Sequence, residues 1–189
     1  MMTARTRPLR LVPNVPEKIS KANLDRPPTE CRVDLNDLIS IEAAMITSWQ
    51  RGEGRVLTLT GTADPWRVGL LRAVTQRAVR GRHAVAYFDA LGALDTTTAA
   101  FARSLSTGQS PILSLSCARM VAGMNQAPLK QAHLLERLLR RHARHRPILI
   151  GIDGAYLLDQ RAQWILRRLP ELLCDCPVTW LYSYLQPNP

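Results

Sequence analysis

The chain has 189 residues, 46% of them hydrophobic, which suffices for one domain with a full core and a tail. Its net charge is +10 and is carried almost wholly by arginine, since Lys18, Lys21 and Lys130 are the only lysines. No apolar run reaches the roughly 18 residues of a membrane span, and no apolar stretch follows the basic N-terminus, so spanning and secreted readings are excluded and a cytoplasmic location is expected.

In chain order, residues 1–31 read as a basic tail. Pro8, Pro13, Pro16, Pro27 and Pro28 alternate with Arg5, Arg7, Arg10, Lys18, Lys21 and Arg26, and no helical or strand period is present. Such composition buries too little apolar surface to fold alone, and it is expected to order on a protein partner or to stay solvated. The folded domain is expected over 32–189. A helix is predicted from Ile41 to Arg51, with Ile41, Ala44, Met45 and Trp49 at helical spacing and Gly52 as its stop. The β-branched run Arg55 to Thr60 reads as a buried strand, and Gly61 to Pro65 as a loop. Trp66 to Arg80 is a helix opened by Pro65 and closed by Gly81. His83 to Phe88 is a second strand, ending at Asp89.

Thr96 to Leu105 is a further helix, with Thr96 or Asp95 as its cap. Pro111 to Ser116 fits either a strand or the approach to a helix running through Met120. From Lys130 to His145 a leucine stripe (Leu134, Leu135, Leu138, Leu139) defines an amphipathic helix. Pro147 to Ile152 is a third strand, ending at Asp153; Gln160 to Leu173 is a helix; Pro177 to Tyr184 is the last strand. Strands alternating with helices predict an α/β fold of three layers: a mainly parallel sheet with helices on both faces and right-handed crossovers.

In such sheets ligands bind beyond the carboxyl ends of the strands, so three loops matter: 61–67, 89–94 and 153–156. A phosphate-binding loop needs glycines to expose backbone N–H groups, a lysine for the outer phosphates and a hydroxyl for magnesium. The first loop has Gly61, Thr62 and, further on, Arg67, but neither the lysine nor the Ser/Thr that should follow it. Gly61, Thr62, Arg67 and Asp153 are the candidate nucleotide-binding residues, with ATP and Mg2+ as the cofactors such a set would take. Asp153 follows the apolar run ILIGI, the pattern that puts a carboxylate near magnesium, and the next position, where a water-activating glutamate would stand, is Gly154. Asp153 and Asp89 are the candidate catalytic carboxylates; a strand-end carboxylate also serves as a plain loop cap.

The stretches PILIGIDGAYLLD, LRRLPELL and PVTWLYSYLQP resemble the AAA+/RecA-type P-loop ATPases, and among them the small ATPase subunits of transposition and secretion systems. The likeness spans roughly 55–186 and implies a P-loop-NTPase-like fold. The departures at the lysine and at Gly154 point to a degenerate member acting as adaptor or regulator rather than hydrolase. A second likeness, carried by VDLNDLI, RVLTLTG, Arg67 and GRHAVAYF, is to plasmid fertility-inhibition proteins of the Osa type in the ParB/sulfiredoxin superfamily. It implies ATPase and DNase activity blocking conjugative DNA transfer, with Asp153, Asp89 or Glu42 holding metal.

Two arginine sets point to a polyanionic partner, nucleic acid or an acidic protein surface: Arg72, Arg77, Arg80 and Arg82, then Arg137, Arg140, Arg141 and Arg144. Each is also what a solvated helix face looks like, and an arginine bias also follows from a GC-rich coding sequence. His142 and His145 sit among these cations, which disfavours a metal pair. Cys31, Cys117, Cys174 and Cys176 lack zinc spacing and read as reduced thiols. Three functions remain open: a P-loop-like adaptor of a nucleoprotein or multi-subunit machine of plasmid or mobile-element type, with little or no hydrolysis; the ATPase/DNase; or an interaction subunit.

Overall fold

The computed structural model describes residues 31–32, 38–61, 64–107, 111–123 and 128–185. The strands are β1 (Cys31–Arg32), β2 (Arg55–Gly61), β3 (Ala84–Asp89), β4 (Ile148–Asp153) and β5 (Val178–Leu185). The helices are α1 (Leu38–Arg51), α2 (Asp64–Arg80), α3 (Thr98–Ser104), α4 (Leu115–Gly123), α5 (Pro128–Ala143) and α6 (Gln160–Leu172). The expected tail lies outside the described residues apart from Cys31, which begins the sheet.

All pairings are parallel and the strand order is β1-β2-β5-β4-β3. The chain moves outward from β2 to β3, then steps back through β4 to β5. Right-handed crossovers send outward and returning connections to opposite faces of the sheet. The core divides accordingly. Leu57, Leu59, Val85, Leu149 and Leu181 pack with Ile41, Met45, Leu70, Leu71 and Val74 of α1 and α2. Val56, Ala86, Ile150, Ile152 and Trp180 pack with Phe101, Leu135, Leu139, Ile165 and Leu169 of α3, α5 and α6. The strands that carry helices on both sides are mainly apolar on both faces, which is why PILIGI reads as a continuous run.

Gly151, inside β4, lets α2 approach closely. A Cβ there would meet Leu71 Cδ1 at 3.2 Å, Thr75 Cγ2 at 3.4 Å and Tyr87 Cδ2 at 3.4 Å. On the other face, Pro170 lies within α6, where it has no N–H to give to the carbonyl of Leu166, four residues back. The buried Tyr182 hydroxyl donates to that carbonyl at 2.9 Å, joining α6 to β5.

Two local expectations resolve differently. Residues 111–116 form no strand. Ile112 and Leu113 both bury their side chains, and both donate their N–H to Leu105 O at 2.8 Å. Ser114 Oγ then accepts from Cys117 N at 3.2 Å and opens α4, so a serine cap decides between the two readings of PILSLS. The cap of α3 is Thr97, which accepts from Ala100 N, while Asp95 accepts from both the N–H and the hydroxyl of Thr97.

Candidate functional site

The carboxyl ends of the strands form one rim. Register places Leu59, Ser183, Asp153 and Asp89 in a single row across β2, β5, β4 and β3. By strand alternation they face the α1/α2 side, as do Leu57, Leu181, Leu149 and Val85. Gly61 lies two residues beyond Leu59 at the end of β2, and β5 separates that strand from β4. Gly61 and Asp153 therefore share one rim of a parallel sheet, about 12 Å apart across two strand spacings and two residues along the strand. Thr62 and the Arg67 side chain lie outside the described residues; Arg67 itself is in the first turn of α2.

Asp153 is 1% exposed, and the Ser183 hydroxyl donates to its Oδ1 at 2.5 Å. The sequence hint for Ser183 was a small hydroxyl inside the aromatic run WLYSY, a signal the strand pattern alone does not flag. Asp89 is engaged locally: its Oδ1 accepts from Gly92 N at 2.9 Å, the loop-capping role of a strand-end aspartate. Tyr87, on the same face, is a second residue that sequence reasoning missed. Burial pushes its phenol up to about 12, the carboxylates of Asp153 and Asp89 push in the same direction, and Arg72 opposes them. Arg72 thus belongs electrostatically to this site.

Gly154 has φ +69°, in the left-handed region, and a Cβ there would fall 2.9 Å from Leu91 Cγ and 3.2 Å from Leu91 N. The loops after β3 and β4 are tied at this point, Ala90 N donating to Asp153 O at 2.9 Å. The position where a water-activating acid would stand is thus held by a glycine required for backbone geometry and close packing. A buried carboxyl group already bonded to a serine, a capped Asp89, a glycine at 154 and no lysine in 61–67 do not fit a hydrolytic Mg-ATP centre.

The arginine sets lie in different layers, one on α2 and its exit, the other on α5 and its exit. Arg77 pairs with Glu42 at 2.7 Å. Arg140 is a structural clamp: it bonds Glu136 and Asp175 at 2.6 Å each and Leu172 O at 2.7 Å, and these partners hold it firmly protonated. Arg72, Arg80, Arg82, Arg137, Arg141 and Arg144 are exposed. His142 accepts at Nε2 from Arg146 Nε at 3.2 Å, so its ring acts as a hydrogen-bond acceptor.

The fold is an α/β one, a parallel sheet with helices on both faces. No family model matches the chain, and no curated protein matches it. Among solved structures it is similar to a chain in Drosophila ORC bound to DNA, with TM-score 0.49 and 17% identity, over 82% of this chain and 79% of that one. It is also similar to a chain in Drosophila ORC bound to GC-rich DNA and Cdc6, with TM-score 0.49 and 16% identity, over 79% of this chain and 24% of that one. Likeness at this level carries no argument about activity. Among the described residues, no helix is long and apolar enough to cross a membrane.

Proposed function

We propose that this chain is a P-loop-like accessory domain that works in a multi-subunit or nucleoprotein assembly without hydrolysing ATP. The observation that carries the reading is Gly154, whose left-handed backbone and close approach to Leu91 disfavour an acid beside Asp153. Asp153 supports it as a buried carboxyl group bonded to Ser183, a structural role of the kind a retired metal ligand takes. The loops beside Asp153 carry exposed apolar side chains, Leu91 at 41%, Leu94 at 107% and Leu157 at 42%, as expected of a rim that meets protein. Gly61, Thr62 and Arg67 are proposed as the remnant of the phosphate loop, and residues 1–31 as a segment that orders on a protein partner.

The ATPase/DNase alternative draws on Asp153, Asp89 or Glu42, and all three carboxylates are already engaged, with Ser183, with Gly92 N and with Arg77. The test is titration calorimetry with ATP and magnesium beside a phosphate-release assay and a plasmid-nicking assay. The expected result is no saturable heat, with release and nicking at background. Turnover that disappears in Asp153→Ala would overturn the proposal.

A further inference from the structure

The opposite rim of the sheet, where the strands begin, carries a feature independent of the nucleotide-like reading. The turns entering four strands lie in a line and are stitched by backbone bonds. Gly54 N donates to Cys174 O at 2.8 Å, Ile148 N to Pro177 O at 2.9 Å, and Ala84 N to Pro147 O at 3.0 Å. The last bond joins the exits of α2 and α5, which are more than sixty positions apart in the sequence. It sets the turn carrying Arg82 at the strand start next to the turn carrying Arg144 and Arg146, with Arg80 at the end of α2 on one face of the sheet and Arg141 on the last turn of α5 on the other. The acids of this rim, Glu53, Glu171 and Asp175, stand on the turns entering β2 and β5 and on the last turn of α6; Glu171 is bonded to Arg168 and Asp175 to Arg140. The half of the rim at β3 and β4 is therefore uniformly cationic among the described residues.

A second observation falls at the same place. Arg82 is the one described non-glycine residue with positive φ, at 61°. It closes α2 by donating its N–H to Val79 O at 2.9 Å, while His83 N donates to Ala78 O at 3.0 Å. This left-handed position after a helix is normally given to glycine or asparagine, and a glycine stands one residue earlier. A β-carbon is thus kept at a strained position that displays an exposed guanidinium. The local field is positive enough to act on His142: after burial, Arg146 and His145 are what hold its pKa below the ordinary value.

We propose that Arg80, Arg82, Arg141, Arg144 and Arg146 form one docking surface for the phosphate backbone of a nucleic acid. Nucleic acid is favoured over an acidic protein because none of the exposed large apolar side chains lies on these turns. A protein interface needs an apolar centre, whereas a phosphate backbone is held by repeated charge contacts alone. Contacts of this kind carry no base sequence, so binding is general and sensitive to salt.

The experiment is fluorescence anisotropy of the full chain with a labelled duplex across a salt series, with polyglutamate as competitor. The log–log salt slope is expected near −4.5, as if about five arginines each neutralised one phosphate. Arg144→Ala should reduce that slope by about 1, and Arg167→Ala, an exposed arginine on α6, should leave it unchanged. Arg82→Gly separates contact from folding: glycine takes a positive φ freely, so its thermal midpoint should hold or rise while duplex affinity drops about three- to tenfold. Duplex binding unaltered in Arg82→Gly and Arg144→Ala, or absent at low salt, overturns the proposal. Stronger, rim-dependent binding of polyglutamate than of duplex overturns it in favour of an acidic protein.

Discussion

Leu91 occupies the space in which a side chain at residue 154 would begin, its Cγ lying 2.9 Å from the position of a Cβ on Gly154. The contact closes the loop after β3 onto the loop after β4 and fixes the backbone just beyond Asp153. Gly154→Glu should therefore not restore hydrolysis. It should destabilise the fold by about 1–3 kcal/mol, from the left-handed backbone and from overpacking against Leu91. Urea denaturation and a phosphate-release assay on the same preparation check both halves; a stable, hydrolysing Gly154→Glu would show that the loop adapts.

Ser183 and Asp153 are register partners on β5 and β4, and their side chains bond in the interior. Ser183→Ala leaves a buried carboxyl group short of a donor, at a cost of about 1–3 kcal/mol. Ser183→Thr keeps a hydroxyl and should lose less. A double-mutant cycle of Ser183→Ala with Asp153→Asn, read by denaturant midpoint, should give a coupling well above measurement error; additive losses would mean that the bond contributes little.

The Tyr182 hydroxyl serves the Leu166 carbonyl that Pro170 leaves without its helical donor. Tyr182→Phe should cost about 1–3 kcal/mol because that buried carbonyl is then unsatisfied. In a Pro170→Ala background the restored N–H can reach the carbonyl, and Tyr182→Phe should cost distinctly less. Equal costs in the two backgrounds would show that the proline and the tyrosine are energetically unrelated.

Stability should fall on mild acidification. His83 is held below 6.5 by burial, and His142 by burial and by the neighbouring Arg146 and His145. Both are favoured neutral in the folded chain, so the unfolded chain binds protons first as pH drops through 6.5. The stabilisation is present above that value and is lost progressively from there down to the lower folded pKa values. Denaturation midpoints at pH 7.5 and 5.5 should differ, and His142→Gln should narrow the difference; a His142→Gln profile superimposable on the parent would remove His142 as a contributor.

Much of the fold is legible in the residues because burial on both faces of a parallel strand leaves an uninterrupted apolar run. RVLTLT, HAVAYF, PILIGI and PVTWLYSY all become strands within a residue or two of their expected ends. PILSLS has the same appearance and is not a strand, since Ser114 turns the chain into α4 before any pairing forms. The two-residue strand at Cys31–Arg32 is too short to show a period, and only its pairing with β2 defines it.

The sequence by itself determined the alternation of strands and helices, the acid ending β4, the glycine after it and the lack of a lysine in the loop 61–67. These are properties of composition and local order. What the tertiary structure decided was which distant groups meet: Asp153 with Ser183, Gly154 with Leu91, and the turn leaving α2 with the turn leaving α5. Parallel pairing is the physical reason. Each crossover carries the chain across a face before the next strand joins, so neighbours in the sheet are remote in the sequence, and one backbone bond between Ala84 and Pro147 joins the turns that follow two separate basic helices.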